Sequence, residues 1–355
     1  MTDPVIDVII PVHTDRRPIA RAVASVLTTA SVATRVTVVC HNVPTEQIAA
    51  VLGSWTEDER VRLVELRDGI PSPAGPLNAG LEAATGEFTA LLGSDDEYEP
   101  GAIDAWVAVA RRDEADVVIP PLRNAPGAKT RSPAVRPFRT RKLNGVRDRL
   151  AYRTVQLGLV SRDRFGNVRM ASGLRTGEDV IQGASLWYSN ARISLVQGGP
   201  GYLIHDDEPA DRSSSSAKPA AESLLFLDGV LAPEFASTLT PAQRESFAVK
   251  LLRTHIMDVL GASLRAGGLP EDLVALSDGV RRIVGLAPTA ARIVSRRDAR
   301  IVSELLGSAD TVRLASELAI RKDYRRPGNI LPASNRRLLH REAPPRYLAA
   351  TALMR

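Results

Sequence analysis

Short β-branched runs alternate with amphipathic helical stretches over the first 120 residues, and this alternation constrains the fold more than any other feature. Alternation at this spacing favours right-handed βαβ units and a doubly wound, mostly parallel sheet. The predicted strands are 5–10, 36–40, 61–66, 88–92 and 117–119, and the predicted helices are 18–27, 45–52, 77–84 and 102–112. Because such sheets bind ligands beyond the carboxyl ends of their strands, the residues after each strand are the first candidates for a site.

The rest of the chain divides by composition. A long loop rich in proline and arginine is predicted at 121–145, and Ser213–Ser216 indicate a linker at 209–219. A helical domain is expected over 220–320 and a basic, loosely packed tail over 321–355. Two further helices are predicted at 146–156 and 178–190, and two short strands at 193–196 and 202–205.

Charge is strongly segregated along the chain, although the formal net charge is only +5. Residues 1–120 hold nine basic and 19 acidic residues, whereas residues 121–175 hold 14 basic and two acidic ones. A nucleic-acid-binding protein that is basic throughout would not begin with its most acidic third, so nucleic acid is not expected as a partner.

Composition places the protein among soluble globular chains, with 44% hydrophobic and 25% charged residues. No apolar run approaches the ~18 residues that a membrane span needs, and no leader is recognisable, so a cytoplasmic protein is expected. The single cysteine, Cys40, excludes a disulfide framework and is interpreted as a buried strand residue. Arginine outnumbers lysine 41 to five, which is typical of a GC-rich bacterial genome.

The first predicted strand is followed by Pro11-Val12-His13 and not by a glycine-rich turn. Dinucleotide-binding folds and P-loops need glycines there, so that the backbone can approach phosphates closely. Dehydrogenases and P-loop kinases are therefore disfavoured.

Two adjacent carboxylates, Asp95 and Asp96, come soon after the fourth predicted strand, following Gly93-Ser94. Like charges at this separation repel unless a cation or hydrogen bonds compensate them, and Mg²⁺ is commonly held by one or two carboxylates plus substrate phosphates. The alternative is an acidic turn that caps the helix beginning near Ala102.

These carboxylates lie among further motifs: the opening strand ending in Pro-Val-His, Leu77-Asn78-Ala79-Gly80, and Ala84-Thr85-Gly86-Glu87 before the fourth strand. Together they resemble the family 2 glycosyltransferases of the GT-A fold. The resemblance covers residues 3–120 well and 146–212 more loosely. It implies a nucleotide-sugar-binding half at 1–120 and an acceptor-binding half at 121–208.

The resemblance also implies roles for single residues. Asp95 would contact the donor ribose, and Asp96 would ligate Mn²⁺ or Mg²⁺ on the diphosphate, with His205 as a weaker candidate ligand. The remaining candidates for donor binding are Pro11, His13, Asn42 and Asn78. Three positions depart from the family: Gly93 replaces an aspartate, Cys40-His41-Asn42 replaces a base-binding carboxylate, and Leu77 replaces an arginine.

Thr176-Gly177-Glu178-Asp179 stands at the start of a predicted helix. Glycosyl transfer needs a carboxylate that takes the proton of the acceptor hydroxyl, and the family keeps a Glu-Asp pair in this role. The resemblance therefore implies Asp179, with Glu178 beside it, as the catalytic pair. The alternative from the residues alone is a capping box between Thr176 and Asp179.

A basic strip runs from Arg123 to Arg153, with Arg136, Arg139 and Arg141 at its centre. It lies between the acidic motif at Asp95-Asp96 and the Glu178-Asp179 pair. Arginine forks suit phosphate, so the strip is a candidate for binding an acceptor such as a polyprenyl-linked glycan or teichoic-type polymer. An anionic membrane surface at the inner face would also suit it, and a merely solvated face is the remaining alternative.

The function expected from these observations is inverting, metal-dependent transfer of a sugar from a nucleotide diphosphate, most simply a UDP-sugar. The acceptor would be a hydroxyl of a cell-envelope glycan, polymer or lipid-linked molecule. The alternative from another class is a catalytically weak module that keeps the fold and binds an anionic polymer.

Overall fold

The structure, a computed structural model, describes residues 3–125, 128–130, 133–205 and 218–353, with side chains at 128–130 left aside. The predicted linker 209–219 lies outside this range except for its last two residues. Within the described residues, no helix combines the length and the apolar character that crossing a bilayer requires.

The N-terminal half is built on two sheets. A seven-stranded sheet has the order β10-β6-β9-β4-β1-β2-β3, in which β9 alone runs antiparallel to its neighbours, and a four-stranded sheet has the order β5-β11-β7-β8. The strands are β1 Ile6–Val12, β2 Thr34–His41, β3 Val61–Leu66, β4 Phe88–Leu91, β5 Glu97–Tyr98, β6 Val117–Ile119, β7 Leu122–Asn124, β8 Ala128–Thr130, β9 Leu159–Ser161, β10 Ile193–Leu195 and β11 Tyr202–Ile204.

Helices cover both faces of the larger sheet, and the apolar runs of β1 and β2 are buried on both sides, as expected of central parallel strands. The helices of this half are α1 Ile19–Leu27, α2 Thr45–Leu52, α3 Ala74–Glu82, α4 Ala102–Asp113, α5 Arg162–Phe165 and α6 Glu178–Trp187, with 3₁₀ turns at Gly53–Glu57 and Leu150–Tyr152. The predicted mostly parallel α/β fold is confirmed.

The C-terminal part is helical, as the sequence predicts for 220–320. It consists of α7 Ala220–Ser223, α8 Leu227–Val230, α9 Pro233–Ala236, α10 Pro241–Lys250, a π-helical segment Leu251–Ile256, α11 Met257–Ala266, α12 Leu269–Leu286, α13 Ala290–Ile293, α14 Arg296–Leu306, α15 Thr311–Ala319, α16 Pro327–Ile330, a 3₁₀ turn Asn335–Arg337 and α17 Pro344–Leu353. One apolar cluster joins these helices to β6 and α6, so the two halves share a core.

The helix predicted at 146–156 is wrong. This stretch forms turns, and Arg149 adopts a left-handed backbone with φ of 51°. The carboxylate of Asp148 explains the turns, because it accepts hydrogen bonds from the Asn144 and Arg136 amides. A side chain that bonds nearby backbone amides in this way favours a turn over a helix.

The expectation of a loosely packed tail is also wrong. Glu342 is fully buried and accepts hydrogen bonds from Ser246 Oγ at 2.7 Å and from Tyr152 Oη at 3.2 Å. The guanidinium of Arg253 stacks on Tyr347 of α17. Buried polar partners of this kind fix the segment against both halves of the chain.

Candidate active site

The carboxyl ends of the parallel strands carry the first group of polar residues. Asn42 follows β2 with φ of 56°, and Asp68 follows β3. The buried His41 contacts Asp68, with 2.8 Å between Nε2 and Oδ1, and Asn42 Nδ2 donates to the same oxygen at 3.2 Å. Asn42 Oδ1 in turn accepts from the Gly69 amide. These hydrogen bonds hold the Asn42 amide and the Asp68 carboxylate in fixed positions at the carboxyl ends of β2 and β3.

Asp68 is a functional candidate that the sequence reasoning missed. The hydrogen bonds from His41, Asn42 and the Ile70 amide lower its pKa although burial opposes them, so Asp68 is a stable anion. It supplies a carboxylate next to Cys40-His41-Asn42, where the family's base-binding carboxylate is absent. Its position directly after a strand was the available signal.

The other residues predicted to bind the sugar donor lie in different surroundings. Pro11 lies in β1 beside Val39, and His13 follows the strand on the surface. The amide of Asn78 is engaged by the backbone of Met170, donating to its carbonyl at 3.0 Å and accepting from its N–H at 2.9 Å. The next residue, Ala171, bonds the Glu178 carbonyl, so Asn78 links α3 to the loop before α6.

Asp95 and Asp96 lie at the end of β4 and have different partners. Asp95 forms an ion pair with Arg17 in the segment before α1. Asp96 accepts a hydrogen bond from Tyr202 Oη at 2.5 Å and one from the His205 amide at 2.9 Å. Burial raises the pKa of Asp96, and the neighbouring Asp95 adds to the shift.

The pairing of β5 with β11 explains how this cluster forms. It brings Tyr202 and His205 from a distant part of the sequence against the acidic motif. Gly93 leaves the room required, because a Cβ atom there would lie 2.7 Å from Asp96 Oδ2. The glycine that departs from the family pattern thus lets the Asp96 carboxylate lie where it does, and a larger residue would require that side chain to shift. The helix-cap alternative is wrong, since Gly101 precedes α4 and no side chain caps that helix.

The acidic motif has the donor atoms that a divalent cation needs, but only part of a coordination shell. Among the residues that the structure describes, no group of three or more His, Cys, Asp or Glu side chains could hold a metal ion. Hard cations prefer carboxylate oxygens, and Mg²⁺ often takes one or two of these together with phosphate oxygens. Asp95 and Asp96 fit that smaller role, in which the rest of the shell comes from a bound diphosphate.

Glu178 and Asp179 begin α6, and the turn before them is held by the C-terminal helices. Gly177 has φ of 76°, and a Cβ atom there would lie 2.7 Å from the Phe226 ring. No side chain caps α6, so the capping box predicted as the alternative is absent. Asp179 lines a cavity of about 650 Å³, together with Phe226, His255 and Asp258 of the C-terminal part.

The two carboxyl groups differ in their surroundings. Burial and the nearby Asp179 raise the pKa of Glu178 to about 7. Burial also raises the pKa of Asp179, but the buried Lys250 opposes the shift. The pKa of Lys250 is lowered to about 8, and its ammonium donates to Nε2 of His255 at 2.5 Å. Lys250 therefore favours the ionised form of Asp179, whereas Glu178 holds its proton near neutral pH.

Glu178→Gln tests this protonation state. Because the folded chain keeps the Glu178 proton up to about pH 7 and the unfolded chain loses it near pH 4.5, wild-type stability falls as pH rises between these values. The amide has no proton to lose, so the stability of wild type relative to Glu178→Gln is expected to decline over that window and level off above it. Thermal unfolding of both proteins across the window measures the difference, and parallel curves would contradict the assignment.

The three arginines of the basic strip do not form one free surface. Arg136 holds the buried Asp148 through Nε and Nη2, both at 2.7 Å, and Arg141 pairs with Asp113 at 2.9 Å. Arg139 is exposed, and the neighbouring Phe138 is fully exposed. The expectation that all three act together on an acceptor therefore needs revision, because Arg136 has a structural partner.

Comparisons with known proteins agree with this architecture. The family model described as glycosyl transferase family 2 matches residues 7–168. The crystal structure of S. aureus TarS 1–349 with UDP-GlcNAc is similar at a TM-score of 0.68 and 17% identity, over 90% of this chain and 91% of that one. The complex of TarS 1–349 with UDP gives the same values.

A longer S. aureus TarS structure matches with a TM-score of 0.64 and 16% identity, over 89% of this chain and 55% of that one. None of the curated proteins compared with the sequence matches it. At these identities the likeness to TarS establishes the fold, and the family match establishes the class of enzyme. Residues 7–168 therefore form a family 2 glycosyltransferase domain on a GT-A fold.

Proposed function

We propose that this chain transfers a sugar, with inversion, from a nucleotide-diphosphate sugar to a hydroxyl of a cell-envelope glycan, polymer or lipid-linked acceptor. The observation that carries the proposal is that two groups of carboxylates lie at separate places in the fold. Asp95 and Asp96 follow β4, where we expect the donor to bind, while Asp179 lines a separate cavity that is large enough for a sugar.

A UDP-sugar is the donor we favour. Asp68 and Asn42 present a carboxylate and an amide at the end of β2 and β3, which suits the N–H and carbonyl groups of a pyrimidine edge. His13 lies on the surface after β1, where a nucleobase could pack against its ring. The complexes of the structurally similar TarS with UDP-GlcNAc and UDP support the same choice.

Asp96 and Asp95 are the residues that we expect to hold Mn²⁺ or Mg²⁺ against the donor diphosphate, with His205 next to Asp96. When bound, the cation neutralises charge on the leaving diphosphate. Burial disfavours the ionised form of Asp96, and Asp95 is already paired with Arg17. The protein alone therefore offers only a weak cation site. Metal binding is therefore expected to depend on the nucleotide.

Asp179 is the residue that we expect to act as general base. It faces the cavity, it is stabilised as an anion by Lys250, and it lies in the first turn of α6, whose amide dipoles also favour negative charge. Its carboxylate would accept the proton of the acceptor hydroxyl as the new glycosidic bond forms. A single displacement of this kind inverts the anomeric carbon.

Replacing Lys250 by methionine tests how the base is kept ionised. The change preserves length and removes the buried cation that lowers the pKa of Asp179, so that pKa should rise. The acidic limb of the kcat–pH profile is then expected to move to higher pH, while the plateau above it stays close to wild type. Lys142→Met, on the exposed basic loop, serves as the control. If the acidic limb did not move, Lys250 would have no part in keeping the general base ionised.

The reaction is tested first through binding. A thermal-shift screen of nucleotide sugars, each with and without Mn²⁺, should show one nucleotide sugar that stabilises the protein only in the presence of Mn²⁺. Donor hydrolysis or transfer with that donor, abolished by a chelator, would then establish catalysis. Metal-dependent donor binding without turnover on any glycan acceptor would favour the catalytically weak module instead. An acceptor on a polyprenyl lipid would bring the cytoplasmic enzyme to the inner membrane face.

A further inference from the structure

A second cavity, of about 490 Å³, lies between residues 136–149 and the C-terminal helix α17. It shares no lining residue with the cavity at Asp179. Its wall carries an unusual concentration of one side chain: Arg136, Arg147, Arg149, Arg341 and Arg346. Pro137 and small or apolar residues of α17 complete it. We call this cavity the arginine pocket.

Carboxylates neutralise only a small part of this charge. Asp148 pairs with Arg136, and its two oxygens are occupied by that guanidinium and the Asn144 amide. Within the described part of the chain, no carboxylate forms an ion pair within 4.0 Å with any of the other four arginines. Arg149 uses its fork on the carbonyls of Ala134 and Arg341.

The charge of Glu342 also acts on Arg149, but the Glu342 carboxylate has other partners. Glu342 is fully buried, is bonded by Ser246 and Tyr152, and lies 3.6 Å from the guanidinium of Arg253. Burial lowers the pKa of Arg149, and the positive charges of Arg253 and Arg346 lower it further, whereas Glu342 opposes them. The pocket therefore concentrates positive charge that Asp148 and Glu342 compensate only in part.

Arginine clusters of this kind suit one ligand chemistry above others. The planar guanidinium fork matches the spacing of phosphate oxygens and can bind them bidentately. A diphosphate or two adjacent phosphodiester groups would offer enough oxygens for several forks. The cavity volume also leaves room beside the anion for an organic group that contacts α17, where Leu353 is 65% exposed.

We propose that the arginine pocket is a phosphate-binding site, distinct from the donor site, for a ligand that carries a diphosphate or phosphodiester group. Arg147 and Arg346 are exposed and would contact the anion, whereas Arg149 is buried and is held by the carbonyls of Ala134 and Arg341. The ligand's phosphate could belong to a soluble polymer or to a lipid headgroup. The fully exposed Phe138 beside Pro137 would contact the acyl region in the second case.

The experiment measures binding of inorganic pyrophosphate by calorimetry in the presence of a chelator, so that metal-dependent binding at the donor site does not contribute. Arg147→Gln/Arg346→Gln is compared with Arg281→Gln/Arg313→Gln, which removes two exposed arginines of α12 and α15. The pocket variant is expected to lose at least about tenfold in affinity and to show a flatter salt dependence, since fewer ionic contacts are left to screen. The surface variant should match wild type.

Two further variants keep the result interpretable. Arg147→Lys/Arg346→Lys retains charge without the forks and should bind with intermediate affinity. Asp96→Asn alters the donor site and should leave metal-free pyrophosphate binding unchanged, so a failed donor assignment does not affect this measurement. Absence of pyrophosphate binding by wild type, or equal affinity of wild type and the Arg147→Gln/Arg346→Gln variant, would overturn the proposal.

Sedimentation with phosphatidylglycerol vesicles and, separately, titration with soluble polyphosphate identify the source of the phosphate. Arginine-dependent binding to the vesicles, weakened further by Phe138→Ser, would indicate a lipid headgroup. Arginine-dependent binding to polyphosphate without vesicle binding would indicate a soluble polymer. Both results support the site, whereas vesicle and polyphosphate binding that are both insensitive to the two arginines would contradict it.

Discussion

Asp179→Asn is expected to lower turnover by roughly 10²–10⁴-fold, the range attributed to general-base catalysis, while donor affinity stays close to wild type. The asparagine preserves the shape of the side chain at the cavity wall and removes the atom that accepts the proton. Because Asp179 caps no helix, loss of capping cannot account for the effect. Single-turnover kinetics at saturating donor separate the chemical step from binding and product release.

The matched control is Asp163→Asn. Asp163 is an exposed aspartate in the first turn of α5, so the same chemical change is made at a helix start of the same half of the chain. Its turnover should equal that of wild type. Near-normal transfer by Asp179→Asn would move the role of base to another group, and Glu178 would be the first to examine because it lies next in the chain.

The order of strands and helices in the N-terminal half follows directly from the sequence. The bounds of α2, β3 and β6 agree with the prediction residue by residue, since β-branched runs and helical periodicity there are uninterrupted. The prediction failed at 146–156, where helix-like spacing of apolar residues conceals a turn built around Asp148 and Arg149. Local patterns do not reveal a carboxylate that bonds its neighbours' amides.

The candidate site was predictable where its residues lie in the loop just after a strand, as Asp95 and Asp96 do after β4. It was not predictable where partners come from distant segments: Tyr202 reaches Asp96 from β11, and Arg17 pairs with Asp95. The Lys250–His255 contact beside Asp179 depends on helices for which the sequence offered no family resemblance. Residues of these helices line the same cavity as Asp179, a contribution to the candidate site that composition could not indicate.

Asp96→Asn is expected to abolish the metal-dependent part of nucleotide binding. Wild type with nucleotide and Mn²⁺ at about 100 times the dissociation constant should gain about 2.7 kcal/mol in the free energy of unfolding, and the variant should lose that gain. The fold itself should survive. Burial already disfavours the Asp96 anion, and a neutral amide of the same shape can still accept a hydrogen bond from Tyr202 or from the His205 amide.

Glu97→Gln is the control, because Glu97 adjoins Asp96 in sequence but pairs with Arg21 at 2.8 Å. It should keep the thermal shift produced by nucleotide together with Mn²⁺. If Asp96→Asn also kept this shift, the cation would have to be held by other residues. If both variants lost it, the negative charge of the whole motif, and not ligation by Asp96, would be responsible. Only loss in Asp96→Asn alone supports a specific ligand at the end of β4.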